Sequence, residues 1–356
     1  MNTAKTYLTK PVEHLDITQF NVVPLVESMG RTAYTARDLA RAAEIFDRMI
    51  ADPDCGIVLC LAGSLVSAGL KRVFTEMVRC RMVDAIVATG ANLVDQDFFE
   101  GLGFRHYIAE SALKTGVHDA ELRNLNIDRI YDTLIDEEQL RVCDETVRKI
   151  ADDLPPRAYS SREFLAAMGV FLDQREKAAG ESAGESTGES IVLEAYRNDV
   201  PLFCPAFSDC SAGFGLVAHR AARGSSPVVS IDSAKDFDEL TRLKIHLGET
   251  GLFMIGGGVP KNFAQDIVVA ADTLGVEVPM HKYAVQVTVA DVRDGGLSGS
   301  TLVEASSWGK VDTLYEQMVF SEATLAVPLI AGYAWHKGSW RNRAHRRLSR
   351  ILENER

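Results

Sequence analysis

Short apolar runs bounded by glycine or proline recur along the chain, and the longer stretches between them return an apolar residue every three or four positions. The runs are GIVLCLAG (56–63), AIVATG (85–90), PLFCPA (201–206), PVVSID (227–232), LFMIGGG (252–258), YAVQVTV (283–289) and TLAVPLIAG (324–332). Unbroken apolar character over such lengths marks strands buried on both faces. Helical spacing fills the intervals, as in SAGLKRVFTEMVRCRM, AKDFDELTRLKIHLG and PKNFAQDIVVAADTLG, each closing near the next run. The alternation predicts βαβ units and therefore an α/β fold: a doubly wound, mostly parallel, Rossmann-like sheet with helices on both faces.

One stretch interrupts the pattern. REKAAGESAGESTGES, residues 175–190, carries no apolar side chain larger than alanine and cannot bury surface, so it predicts a mobile surface insertion. A phosphorylated or partner-binding segment is the alternative reading of its serines. Residues 336–356, HKGSWRNRAHRRLSRILENER, are locally basic, and their spacing allows an amphipathic helix or tail docked on a neighbouring surface or subunit. The remainder, residues 1–335, reads as a single domain.

Composition narrows the function classes. The 356 residues carry a net charge of -12 with a pI near 5.2, which argues against nucleic acid and favours a small cationic ligand. The amino-terminal MNTAKTYLTKPVEHLDI lacks a signal-peptide core, and no apolar stretch reaches membrane-spanning length. The expectation is a cytoplasmic protein with no membrane association. The six cysteines (55, 60, 80, 143, 204 and 210) show no CxxC spacing and predict reduced core thiols, with no metal site.

Ligands of open α/β sheets bind beyond the carboxyl ends of the strands, so the residues after each run carry the candidate chemistry. They are GSLVSAG (63–69), TGANL (89–93), DCSAG (209–213) and GGGVPKN (256–262). Glycines there admit a close backbone approach, hydroxyls stand at helix starts, and Pro260 suits a first helical turn. Each alone is also a common way to turn a chain, and the strict GxGxxG fingerprint is absent. Four together describe a site for a large polar ligand such as a dinucleotide. Near the end stands EASSWGKVDTL (304–314), with Lys310 at what reads as the lip of a buried strand. Its neighbours alone leave it an ordinary loop lysine with its head in water.

In this order, LAGSLVSAGL, TGANLVDQD, PAFSDCSAG, MIGGGVPKN and EASSWGK resemble the deoxyhypusine synthase family, over roughly residues 10–335. The shorter bacterial and archaeal type, with KPVEHLDI near the start, is the closer match. The resemblance implies NAD as cofactor, a polyamine such as spermidine as donor, and a homotetramer with sites at a dimer interface. It makes Lys310 the covalent catalyst: hydride leaves the carbon beside an amine of the polyamine, the lysine captures the resulting imine, and an acceptor amine takes the aminobutyl group. Such a lysine must be neutral to attack. Trp308 would offer an aromatic face to a cationic chain, Glu304 would hold an ammonium, and Asn262 could hydrogen-bond a substrate amine. The NAD set carried over is Ser64, Ser67, Thr89, Gly90, Asp209, Gly257, Gly258, Ala290, Asp294, Glu322 and Ala323, with Asp209 and Glu322 as ribose acceptors. Glu322 replaces the usual aspartate. Asp95 and Asp97 are further polar candidates for the cleft, or members of a solvated helix start.

Three positions depart from the eukaryotic pattern. Phe214 and Leu297 stand where relatives carry aspartates, and Asn262 where they carry histidine. An unpaired buried ammonium is costly, so the departures argue against spermidine in its usual pose and leave room for a shorter or differently placed amine. Two alternatives stay open: a homospermidine-forming enzyme whose acceptor is putrescine or another free amine, and a catalytically silent NAD-binding oligomer.

Overall fold

A computed structural model of the chain describes residues 4–110, 114, 116, 118–180 and 189–354. Its strands are β1 (Gly56–Leu61), β2 (Ala85–Ala88), β3 (Tyr107–Ile108), β4 (Ile127–Ile130), β5 (Thr133–Asp136), β6 (Ala158–Tyr159), β7 (Leu202–Phe203), β8 (Ser230–Ile231), β9 (Thr250–Ile255), β10 (His281–Thr288) and β11 (Val311–Phe320). Among the described residues a six-stranded sheet runs β11-β10-β9-β1-β2-β7, parallel throughout. β3, β5 and β4 form a small antiparallel sheet, and β6 pairs with β8 alone. The helices that matter for the site are α1 (Tyr34–Ala51), α2 (Ser211–Arg223), α3 (Ser233–Leu247), α4 (Gly258–Thr273), α5 (Leu302–Ser307) and α6 (Ala323–Lys337).

β1 shows why the run GIVLCL is continuously apolar. Ile57, Leu59 and Leu61 point into one core with Phe46 of α1, while Val58 and Cys60 point into the other with Leu240 of α3 and Ile267 of α4. Both faces of the central strand are therefore covered by helices, as the sequence pattern predicts. The Phe46 and Phe253 rings meet at 4.5 Å and pin α1 to β9. All six cysteines are free and buried. No helix among the described residues is long and apolar enough to cross a membrane.

Several predicted elements are corrected. TLAVPLIAG is not a strand: it lies inside α6, whose buried residues Ala326, Val327, Pro328, Ile330, Ala331, Tyr333 and Ala334 surround the helix axis. A helix buried all round reads as the same unbroken apolar run as a central strand. Glu322 caps its start through the Thr324 amide, 2.8 Å away. PVVSID contributes only the two residues of β8, outside the main sheet. Conversely, VDTLYEQMVF, which lacks a continuous apolar run, forms the long edge strand β11.

Both ends of the predicted 175–190 insertion are ordered. Residues 175–179 continue the helix Ser161–Ala179, and Ser190 is a buried cap that accepts from Leu193 N and bonds Asp97. The predicted mobile stretch between them, 181–188, lies outside the described residues. The basic tail docks on its own chain: Arg343 makes two bonds to Asp84, at 2.9 and 2.6 Å, and Leu348 and Leu352 are buried in the core beside α3.

Candidate active site

Two cavities flank the loop between β10 and α5. The larger, about 1160 Å³, opens beyond the carboxyl ends of β1, β9, β10 and β11. Its walls include the 63–68 turn, Gly256 and Gly257, Thr288–Ala290, Ser321–Thr324, and the amino-terminal Lys10–Glu13. Buried Asn92 fixes the first wall: its amide donates to Gly63 O at 2.8 Å and Thr89 Oγ1 at 2.9 Å, and its Oδ1 accepts from Leu65 N at 3.0 Å. Gln96 accepts from Ser67 N at 2.9 Å in the same way.

The amino-terminal wall, part of KPVEHLDI, is pinned by backbone bonds from Val12 N to His106 O and from Leu15 N to Gly69 O. Behind it Glu100 gathers His14 and His106, each at 2.7 Å, and Lys71 at 2.6 Å. Burial alone would raise this carboxyl, yet the hydrogen bonds from His106 and His14 and the Lys71 charge hold it far below the usual carboxylate range.

The cavity fits a dinucleotide. α4 starts there on Gly257 with no side-chain cap, so first-turn amides remain for an anion. A Cβ at Gly63 (φ +84°) or Gly258 (φ +56°) would project into open space, the freedom a pyrophosphate needs to approach backbone. Glu322 adds a carboxylate whose described bonds, to the Thr324 amide and hydroxyl, engage only Oε2.

The smaller cavity, about 720 Å³, lies between α3, α4 and α5. Its walls are mostly apolar, with Phe237, Val269, Leu274 and Leu297, and its charged groups are Asp238, Asp266, Glu304 and Lys310. Lys310 reaches it through a local device. α5 ends at Ser307, and Gly309 takes the left-handed conformation (φ +70°) that terminates helices. The chain then enters β11, with Lys310 O accepting from His281 N at 2.9 Å. The Lys310 ammonium sits 5.2 Å from the Trp308 ring centroid and pairs with Asp266, whose other oxygen accepts from Asn262 Nδ2 at 2.8 Å. Beside this group, Lys261 is buried, donating to Leu297 O at 3.2 Å, Ser300 O at 2.5 Å and Ser300 Oγ at 3.0 Å. Burial pushes its amine down to about 8, against the pull of the Glu304 charge.

Lys310, Trp308, Glu304 and Asn262 thus share the smaller cavity, and Leu297 lines it as well. Ser64, Ser67, Gly257, Ala290, Glu322 and Ala323 share the larger. Gly258 opens α4 directly behind Gly257, and Thr89 stands one hydrogen bond behind, on Asn92. Gly90, Asp209 and Asp294 do not line it. A Cβ at Gly90 would strike Cys210 Sγ at 2.4 Å, so this glycine serves packing, while Asp209 and Asp294 are exposed. Phe214 is exposed on α2 and lines neither cavity. Asp97 caps the helix Ile191–Arg197 through the Ile191 and Val192 amides, and Asp95 accepts from Ser211 N, so both hold structure outside the cavities.

Sequence reasoning did not single out Asp266, Lys261, Asn92 or Gln96. Asp266 and Lys261 follow GGG within one helix, and helical spacing from Asn262 would have placed Asp266 on the same face. Among the described residues no group of three or more His, Cys, Asp or Glu is placed to hold a metal ion.

The deoxyhypusine synthase family model matches residues 24–334. A deoxyhypusine synthase-like protein of Chlorobaculum parvum is 59% identical over 98% of this chain and 95% of its own length. Its namesake in Coxiella burnetii is 54% identical over 98% and 95%. A "Probable deoxyhypusine synthase 2" of Methanosarcina mazei is 39% identical over 93% and 91%. Among solved structures, "a putative deoxyhypusine synthase from Entamoeba histolytica" superposes with a TM-score of 0.60 at 19% identity, covering 91% of this chain and 97% of that one, a likeness of fold.

Proposed function

The chain belongs to the deoxyhypusine synthase family, and from that premise we propose that it is an NAD-dependent transferase moving an aminoalkyl group from a polyamine to an acceptor amine through Lys310. The observation that carries this reading is the meeting of Lys310, Trp308, Asn262 and Glu304 in one cavity with apolar walls and carboxylates. An alkyl amine with cationic ends suits such a lining: methylenes against Phe237, Val269 and Leu297, and ammonium groups on Asp238, Asp266 or Glu304.

NAD, held at the start of α4 and along the 63–68 turn, would supply the hydride acceptor and later the hydride donor. The rest falls to the chain. Neutral Lys310 attacks the imine carbon, a new C–N bond forms at Nζ, the old C–N bond breaks, and the leaving amine departs with a proton. The acceptor amine then displaces Lys310 by the same exchange in reverse. Trp308, two residues from the nucleophile, faces the cationic chain. Leu297 on one side of the loop and Ser298 on the other place the two cavities back to back.

The family's homotetramer is part of the proposal. Trp308 (66% exposed) and Leu297 line the smaller cavity as exposed apolar groups, as a surface completed by another copy would.

The test is incubation with NAD and a panel of polyamines, with mass analysis of products when a protein lysine or free putrescine is the acceptor. Borohydride added during turnover should leave an aminoalkyl adduct on Lys310. Lys310→Ala and Lys310→Arg should both abolish transfer while sparing NAD binding by calorimetry, because a guanidinium cannot act as a neutral nucleophile. Full transfer in either variant, or an adduct on another residue, would overturn the assignment.

A further inference from the structure

We propose that Asp266 is an ion-exchange gate on the nucleophile: its carboxylate holds Lys310 as an ammonium until the ammonium of an incoming alkyl amine takes its place. The proposal deepens the transferase reading and rests on it for the role of Lys310. It starts from an apparent conflict, since a lysine that must attack as a neutral amine sits paired with a carboxylate.

The surroundings resolve the conflict. Asp266 is bound on both oxygens, to Lys310 on one side and Asn262 on the other, so its orientation is fixed within α4. The other charged groups facing Lys310 are Lys261 on α4 and Glu304 on α5, and Asp238 on α3 lines the same cavity but pairs with Arg242 at 2.7 Å. His281 on β10 is turned away, with Nε2 on Ala264 O and Nδ1 on Thr250. Asp266 is thus the one of these carboxylates paired with Lys310.

A second cation entering an apolar cavity of about 720 Å³ competes for that carboxylate. When it wins, Lys310 is left beside the substrate ammonium and, below about pH 8, the Lys261 charge, with Asp266 neutralised. Its proton then passes to water at the exposed Trp308 rim, and no bond to carbon changes in this step. The nucleophile is released only when an amine is present to be attacked, and an uncharged ligand does not release it. The fit is to a primary alkyl amine with a further cationic group, placed by Asn262 and Asp266 together.

The experiment reads Lys310 directly. Trace acetic anhydride at about pH 8 acylates neutral amines, and peptide mass analysis gives the labelling of Lys310 relative to exposed Lys149 of the same chain. Adding 1,4-diaminobutane to the wild-type protein should raise this ratio by about tenfold. Asp266→Asn, of the same shape but uncharged, should show the raised ratio without diamine and no further rise with it. A fall or no change in the wild-type ratio on adding diamine would overturn the gate, and this arm needs no variant to fold. An Asp266→Asn ratio equal to that of the diamine-free wild type would overturn it as well. The labelling is independent of turnover. A diamine response without any NAD-dependent transfer would leave the gate standing and remove the transferase reading, whereas transfer without the response would remove the gate alone.

Discussion

Replacing Lys261 by methionine should change how stability depends on pH far more than it changes stability near neutrality. The side chain is 1% exposed and its ammonium is held by Leu297 O, Ser300 O and Ser300 Oγ. Burial lowers its titration from 10.5 to about 8, with the Glu304 charge opposing and the Lys310 charge reinforcing. Below about pH 8 both folded and unfolded chains carry the proton, and the whole cost of burying it is present. Between about 8 and 10.5 the folded chain has released the proton and the unfolded chain has not, so the unfolded state binds more protons and stability rises with pH. At about 1.4 kcal/mol per unit the rise amounts to about 3 to 4 kcal/mol. Methionine removes both that cost and three hydrogen bonds worth about 1 kcal/mol each, so near pH 7.5 the two proteins should lie within about 1–2 kcal/mol of each other. Urea unfolding of both at a series of pH values checks the difference, in which other alkaline titrations, such as that of Lys244, cancel. A wild-type minus variant difference that stays flat from about pH 7.5 to 10.5 would refute the account of Lys261 as a buried amine.

Arg343→Ala should cost about 3–5 kcal/mol, because it leaves Asp84 buried without its guanidinium and frees the Cys55 and Arg81 carbonyls; a melting temperature near that of the wild type would mean that the tail is not held there. Deleting residues 181–188 should leave the urea midpoint nearly unchanged, whereas Ser190→Ala should lower stability by about 1–2 kcal/mol through loss of the cap and of the Asp97 bond. Asn92→Ala should weaken NAD binding by about tenfold in calorimetry, since the 63–65 turn loses its bonds at Gly63 and Leu65; unchanged affinity would separate that turn from the cofactor.

The sheet was legible where burial on both faces writes a continuous apolar run, as in β1 and β9. The same signal misread α6, because an all-round buried helix and a central strand share it, and only length and pairing partners distinguish them. β11 escaped for the opposite reason. As an edge strand it buries Val311, Met318 and Val319 but leaves Thr313 and Leu314 exposed, so the run is broken by polar residues. At the two ends of the predicted insertion, Arg175–Ala179 and Ser190 are claimed by a helix and a cap that composition does not see.

The site was legible where a residue type is unusual for its place. A glycine between Trp308 and Lys310, or three glycines before a helix, announce a turn or a close approach. Asp266 announces nothing, since an aspartate within a helix is ordinarily solvated. Its meaning arises from geometry: one helical turn after Asn262, α4 carries it to the point where the turn at Gly309 delivers Lys310 from a separate part of the chain. Lys261 likewise acquires its role from the loop it holds. That loop separates the two cavities, Ser298 on one side and Leu297 and Ser300 on the other. The departures at Phe214 and Leu297 suggest a site short of carboxylates, yet the folded cavity presents Asp238, Asp266 and Glu304. The cavity therefore keeps carboxylates that suit a cationic chain, and one of them, Asp266, is the immediate partner of the proposed nucleophile.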